Sequence, residues 1–141
     1  MKLEQLDIHL ARIFRESNVY WHCCQIGQAG DRNSLSPEEL ICFGDLNAVR
    51  RDEFLAGRYC AHQAAAKANY NFESLNWDKD GVPIWPAELI GSISHKARLC
   101  AAVIANDPLM LSIGLDIDIN ESLSRELWRV YCTGQELDWI M

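Results

Sequence analysis

Leu111–Asn120 reads LSIGLDIDIN, and its alternation sets two acids inside an otherwise apolar run. Ile113, Leu115, Ile117 and Ile119 alternate with Ser112, Gly114, Asp116 and Asp118. A period of two is the signature of a half-buried strand, so the segment is expected to be a β-strand with Asp116 and Asp118 side by side on one face. Two neighbouring carboxylates repel, and each resists ionisation unless a positive partner offsets them. A hard divalent cation suits that role: Mg²⁺ takes carboxylate oxygens and keeps positions for water and phosphate. The competing reading is a solvated polar face on an edge strand. Both remain open on this segment alone.

Working outward, the composition bounds the rest. The chain has 141 residues, enough for one domain or part of one. At 49% hydrophobic residues it is not a disordered sequence. It has no apolar run long enough to span a bilayer, and its N-terminus, MKLEQLDIHLARIF, lacks the continuous apolar stretch of a signal peptide. The six cysteines are irregularly spaced and form no CxxC pair, which points to reduced thiols in a cytoplasmic protein rather than disulfides or zinc. A formal net charge of −7 argues against general nucleic-acid binding.

Against that acidic background the basic clusters stand out. The stretch NAVRRDEFLAGRYCAHQAAAKAN is alanine-rich and free of proline, and reads as a helix from about Leu46 to Asn69 with Gly57 as its weak point. At about 100° per residue, Arg51 and Arg58 nearly coincide on its surface and Arg50 lies about a quarter-turn away. Three guanidiniums on one side suit a phosphate-rich ligand, because the guanidinium fork matches phosphate oxygens. Alternatively, Asp52 and Glu53 pair with them on a solvated face.

The remaining elements follow from standard signals. Met1–Arg15 is expected to be helical and Val19–Ile26 a strand. Gln28–Asn33 forms turns, and Ser36-Pro37-Glu38-Glu39 opens a helix, with proline first and acids in the first turn. Asn76–Pro86 is a loop around Asp80-Gly81. Leu89–Ser94 and Leu99–Ala105 are strands joined tightly near Lys96–Arg98. Helices are expected at Glu121–Cys132 and from Gln135 to Met141. No internal repeat or linker is evident. His95 ends the strand LIGSISH, where it could donate to a phosphate or serve as a structural residue. Gly91, Ser92 and Ser94 are small enough for a ligand to approach the backbone. Trp85 and Pro86 read as loop packing.

Three stretches in order, EFLAGR (Glu53–Arg58), PIWPAELIGSISH (Pro83–His95) and GLDID (Gly114–Asp118), resemble the 4′-phosphopantetheinyl transferases, most closely the enterobactin-synthetase, siderophore type. The likeness runs from about Arg50 to the C-terminus. It implies an α+β fold of two similar halves, with residues 1–110 as the first pseudo-repeat and 111–141 as the start of the second. It implies Mg²⁺-dependent transfer of the 4′-phosphopantetheine arm of coenzyme A to a serine of a carrier protein, in siderophore or nonribosomal peptide biosynthesis. In that reaction the serine attacks the β-phosphate and adenosine 3′,5′-bisphosphate leaves. By the same resemblance Arg50, Arg58 and His95 contact the phosphates of coenzyme A, and Asp116 and Asp118 hold the metal.

Two departures accompany the likeness. Asp118 stands where the family usually carries Glu, one methylene longer. The family's later helical motif, W/F-S-x-K-E-A-x-x-K, supplies a Glu as metal ligand or base and a Lys to phosphate, and it does not occur here. The resemblance therefore names no catalytic residue in this chain. It leaves two expectations: a truncated part of a working transferase, inactive alone, or a catalytically inactive remnant that binds coenzyme A or a carrier protein.

Overall fold

A computed structural model describes residues 2–28, 30–122 and 124–140. The outermost residues of the expected first and last helices, Met1 and Met141, lie outside the described residues, as do Ala29 and Leu123 within expected turn and helix. The elements in chain order are α1 (Leu3–Phe14), β1 (Val19–Gln25), a short 3₁₀ turn (Arg32–Ser34), α2 (Pro37–Gly44), α3 (Ala48–Lys67), β2 (Ile90–Lys96), β3 (Leu99–Ala105), α4 (Arg125–Tyr131) and α5 (Gly134–Ile140). Helices and an antiparallel sheet occupy separate layers, which makes the fold α+β.

β3 organises the molecule. Its sequence, LCAAVIA, is buried throughout, and it is the central strand of a three-stranded sheet of order β1-β3-β2. Both neighbours pair with it antiparallel, Val19 opposite Ala105 on one side and Ile90 opposite Ala105 on the other. A strand covered on both faces has no polar face to show, so it reads as an unbroken apolar run. Cys100, Ala102 and Ile104 face α3, where they meet Ala56, Cys60, Ala64 and Ala65. Leu99, Ala101, Val103 and Ala105 face the opposite layer, built from α1 through Leu6 and Leu10 and from Ile113, Leu115 and Ile117.

The small residues of α3 explain its position. Ala56, Cys60, Ala61 and Ala64 are fully buried, so the helix axis lies close to the sheet. Gly57, read from sequence as a weak point, is where a Cβ would stand 3.2 Å from Ile93 of β2. Its absent side chain allows the helix and edge strand to approach. Asn47 caps α3 by accepting from the Arg50 N–H at 3.0 Å. β2 and β3 join through Ala97 and Arg98, both in the left-handed region (φ 48° and 72°), the geometry a two-residue hairpin turn requires.

Three expectations are corrected here. Residues 111–120 form no strand, although the alternation in burial holds as far as Asp118: Ile117 is buried, Ile113 and Leu115 are partly buried, and Asp116 and Asp118 are exposed, while Ile119, expected inward, is exposed. The segment lies over the α1 face of the sheet. Its Leu115 and Ile117 N–H groups donate to the Ser92 and Ser94 hydroxyls at 3.1 and 2.9 Å rather than to a neighbouring strand's carbonyls. The small residues of β2 are likewise occupied. Ser92 and Ser94 hold this segment, and a Cβ on Gly91 would sit 2.6 Å from the Trp85 ring, so protein rather than ligand fills the space. Finally, the helix expected from Glu121 begins at Arg125.

Candidate functional site

A cleft of about 230 Å³ lies between α3, β2 and the loop 77–83. Arg50, Glu53 and Arg58 line it from α3, His95 from the end of β2, and Trp77 and Pro83 from the loop. The loop is held by the Trp77–Pro83 bridge, and Asp78 accepts from the Asp80 and Val82 N–H groups, both at 2.9 Å. The cleft thus brings together Arg50, Arg58 and His95, residues on two elements separated by 37 positions between Arg58 and His95 (95 − 58).

Arg58 is the most unusual of them. It is 4% exposed, and its guanidinium stacks 4.4 Å from the centre of the Phe54 ring and 5.8 Å from that of Trp77. Its Nε and Nη2 are buried and have no hydrogen-bond partner among the described residues. Such groups are rare, because an unsatisfied buried donor costs roughly 1–3 kcal/mol. Burial pulls its pKa below the ordinary arginine value, opposed by the charge of Glu39.

Glu39, which sequence reasoning passed over as a ligand of anything but its own helix end, is fully buried beneath Arg58. Its Oε1 stands 3.9 Å from Arg58 Nε and 3.0 Å from His62 Nε2, and accepts the Leu75 N–H at 2.9 Å. Its Oε2 accepts the Ser36 N–H at 3.0 Å, completing the capping box of α2. Burial pushes this carboxyl upward, but the hydrogen bonds from His62, Leu75 and Ser36 outweigh it and hold the pKa below the usual value. The S-x-x-E signal at Ser36–Glu39 was legible, yet nothing local showed that this Glu also faces α3.

Arg50 and His95 are differently placed. Arg50 Nη1 donates to Glu53 Oε2 at 3.0 Å, and His95 Nδ1 lies 3.6 Å from Glu53 Oε1. The alternative reading of the helix, in which Glu53 pairs with a neighbouring arginine, therefore holds for Arg50. Arg51 is not part of the cleft. Two helical turns before Arg58 on the same stripe, it donates to the Phe43 and Gly44 carbonyls at 3.3 and 3.0 Å and lies over the Phe43 ring, tying α3 to the end of α2. Three guanidiniums on one helix face thus become two in the cleft and one structural tie.

Asp116 and Asp118 lie apart from the cleft, against side chains on the other face of β2. Asp116 Oδ1 accepts from Ser94 Oγ at 3.3 Å, and Asp118 Oδ1 pairs with Lys96 Nζ at 3.0 Å. The Ile119 N–H and then Lys96 hold the Asp118 pKa below its ordinary value, and Asp118 in turn raises that of Lys96. The positive partner that two adjacent acids demand is here a lysine. Among the described residues no three His, Cys, Asp or Glu side chains gather as a metal cluster, and no helix is long and apolar enough to cross a membrane.

Fold and cleft define a class: an α+β domain with a buried guanidinium and two further basic groups at the edge of an antiparallel sheet. Comparison with known proteins shows what this domain is similar to. Residues 38–105 match the 4′-phosphopantetheinyl transferase N-terminal domain. The chain is 38% identical over 107 residues to enterobactin synthase component D of Escherichia coli K12, covering 74% of this chain and 41% of that protein. It is 29% identical over 91 residues to the 4′-phosphopantetheinyl transferase Npt of Nocardia iowensis, covering 64% and 41% respectively. A crystal structure of a holo-(acyl-carrier-protein) synthase from Bacillus anthracis, in complex with CoA (3′,5′-ADP), superposes with a TM-score of 0.51 at 20% identity, covering 62% of this chain and 92% of that one. The chain spans about two-fifths of the length of these two curated relatives. The likeness to the 4′-phosphopantetheinyl transferase N-terminal domain thus extends over residues 38–105.

Proposed function

We propose that this chain is the N-terminal part of a transferase that moves the 4′-phosphopantetheine arm of coenzyme A to a serine of a carrier protein, and that the cleft between α3 and β2 receives phosphate groups of coenzyme A. The observation that carries the reading is Arg58, a charge buried against two aromatic rings with two nitrogens unpartnered. A guanidinium in that state is completed by an anion with several acceptor oxygens, and phosphate is the match in shape and charge. Arg50 and His95 on the rim supply further donors, so one ligand can bridge helix and strand. Residues 1–110 are read as the first half of the transferase and 111–141 as the start of the second.

Asp116 and Asp118 are proposed to hold Mg²⁺. Their exposed carboxylates offer the hard oxygen donors that this ion prefers, and Lys96 must release Asp118 for both to serve. When bound, the ion would offset negative charge on the pyrophosphate of coenzyme A. The likeness to enterobactin synthase component D supports a siderophore-type carrier protein as acceptor. The six free cysteines are consistent with a cytoplasmic location.

Titration of the chain with coenzyme A tests the reading. Binding is expected, weaker for the analogue lacking the 3′-phosphate, with the difference reduced in Arg58→Ala. Absence of binding by the folded chain overturns it.

A further inference from the structure

The cleft already contains an anion of its own. Glu53 projects from α3 between the two rim groups, with Oε2 3.0 Å from Arg50 Nη1 and Oε1 3.6 Å from His95 Nδ1. Its side chain is 23% exposed, and it lines the same cavity as Arg58. Glu39 beneath Arg58 is locked by three hydrogen bonds from separate parts of the chain, His62, Leu75 and Ser36. Among the described residues Glu53 has no such anchoring: the hydrogen bond and ion pair of its carboxylate go to the two rim groups themselves. It therefore stands between the two basic groups read here as phosphate contacts, held by nothing but them.

We infer that Glu53 is a specificity-determining residue, a tethered competitor that an incoming phosphate must displace from Arg50 and His95, so that the cleft admits dianionic phosphate and resists weaker anions. The inference rests on reading the cleft as a phosphate site. Tethering gives the carboxylate a high effective concentration at the two rim groups. A monovalent anion such as chloride brings no more charge than Glu53 and lacks that advantage. A phosphate dianion brings twice the charge and a further acceptor for the unpartnered nitrogens of Arg58, so it can win the exchange. The carboxylate also keeps the rim groups paired until ligand arrives.

The test compares Glu53→Gln with the unmodified chain, titrating coenzyme A and, separately, inorganic pyrophosphate at low and high sodium chloride. Glu53→Gln preserves shape and removes the competing charge. It should bind both ligands about three- to fivefold more tightly at low salt, the scale of a partly exposed ion pair. Its affinity should also fall more steeply with chloride than that of the unmodified chain, because the rim groups are then bare to counter-ions. A purely structural Glu53 would not change that salt slope. Glu53→Asp, whose shorter reach weakens both contacts while keeping the charge, should bind with intermediate affinity and guards against misfolding of the first variant. Equal or weaker binding by folded Glu53→Gln, or an unchanged salt slope, overturns the inference while leaving the phosphate site intact. Binding of neither ligand by the unmodified chain overturns the site and the inference together.

Discussion

Replacing Arg58 with methionine separates what the residue does for the fold from what it does for a ligand. Methionine keeps an unbranched stem against Phe54 and Trp77 and removes the charge. On the gain side, two buried nitrogens without partners disappear, each worth roughly 1–3 kcal/mol. On the loss side goes the attraction to Glu39 at 3.9 Å, about 4 kcal/mol at an effective dielectric of 20, with roughly 1 kcal/mol of cation–π contact. Glu39 is not orphaned, since His62, Leu75 and Ser36 continue to donate to it. The opposing effects nearly cancel, within about 2–3 kcal/mol of zero, as is usual when a buried ion pair is replaced by apolar volume. At about 3–4 °C per kcal/mol for a chain of this length, the melting temperature should move by less than about 12 °C in either direction. Affinity for coenzyme A should meanwhile fall about 10- to 150-fold, the loss of one charge-assisted interaction. Thermal unfolding followed by circular dichroism, with titration calorimetry on the same samples, reads both quantities. Unfolding of the variant at room temperature would show that Arg58 serves the fold, and undiminished affinity would remove it from the binding site.

Three further outcomes follow from particular contacts. Because the folded-state pKa of Glu39 lies below its unfolded value, its stabilisation is complete above about pH 4.5 and is lost as pH falls through the folded pKa; Glu39→Gln should lower stability at neutral pH and flatten the acid limb of a melting-temperature profile, and an unaltered limb would contradict the assignment. Gly91→Ala places a methyl group 2.6–2.8 Å from Trp85 ring atoms, and should destabilise by about 1–3 kcal/mol in urea unfolding; no change would mean that the ring yields freely. Ser94→Ala removes the acceptor of the Ile117 N–H and the donor to Asp116, and should cost about 1 kcal/mol and speed hydrogen exchange at Ile117; protection equal to the unmodified chain would show that another acceptor takes its place.

What could be read from the chain was whatever depends on neighbours in sequence. LCAAVIA was read as a strand, and the structure gives it the central place in the sheet that its unbroken apolar run suits. The long helix was found to within two residues at each end, because alanine content and the absence of proline are local facts. Arg50, Arg58 and His95 could be singled out because charge is conspicuous in an acidic chain, and the order of three motifs pointed to the family. Pairing across space was not legible. The alternation in LSIGLDIDIN records which side chains face the sheet, and it held for Ile113, Leu115 and Ile117 but not for the exposed Ile119; whether the backbone finds a partner strand depends on what lies beside it, and here two serine hydroxyls accept its N–H groups instead. Arg51 and Arg58 share a helix stripe, but two turns of rise put one at the end of α2 and the other over Glu39. The burial of Arg58, the second role of Glu39 and the counter-ion position of Glu53 each arise where separate elements meet. They were decided by tertiary packing, because desolvation and ion pairing act over a few ångströms of space regardless of distance along the chain.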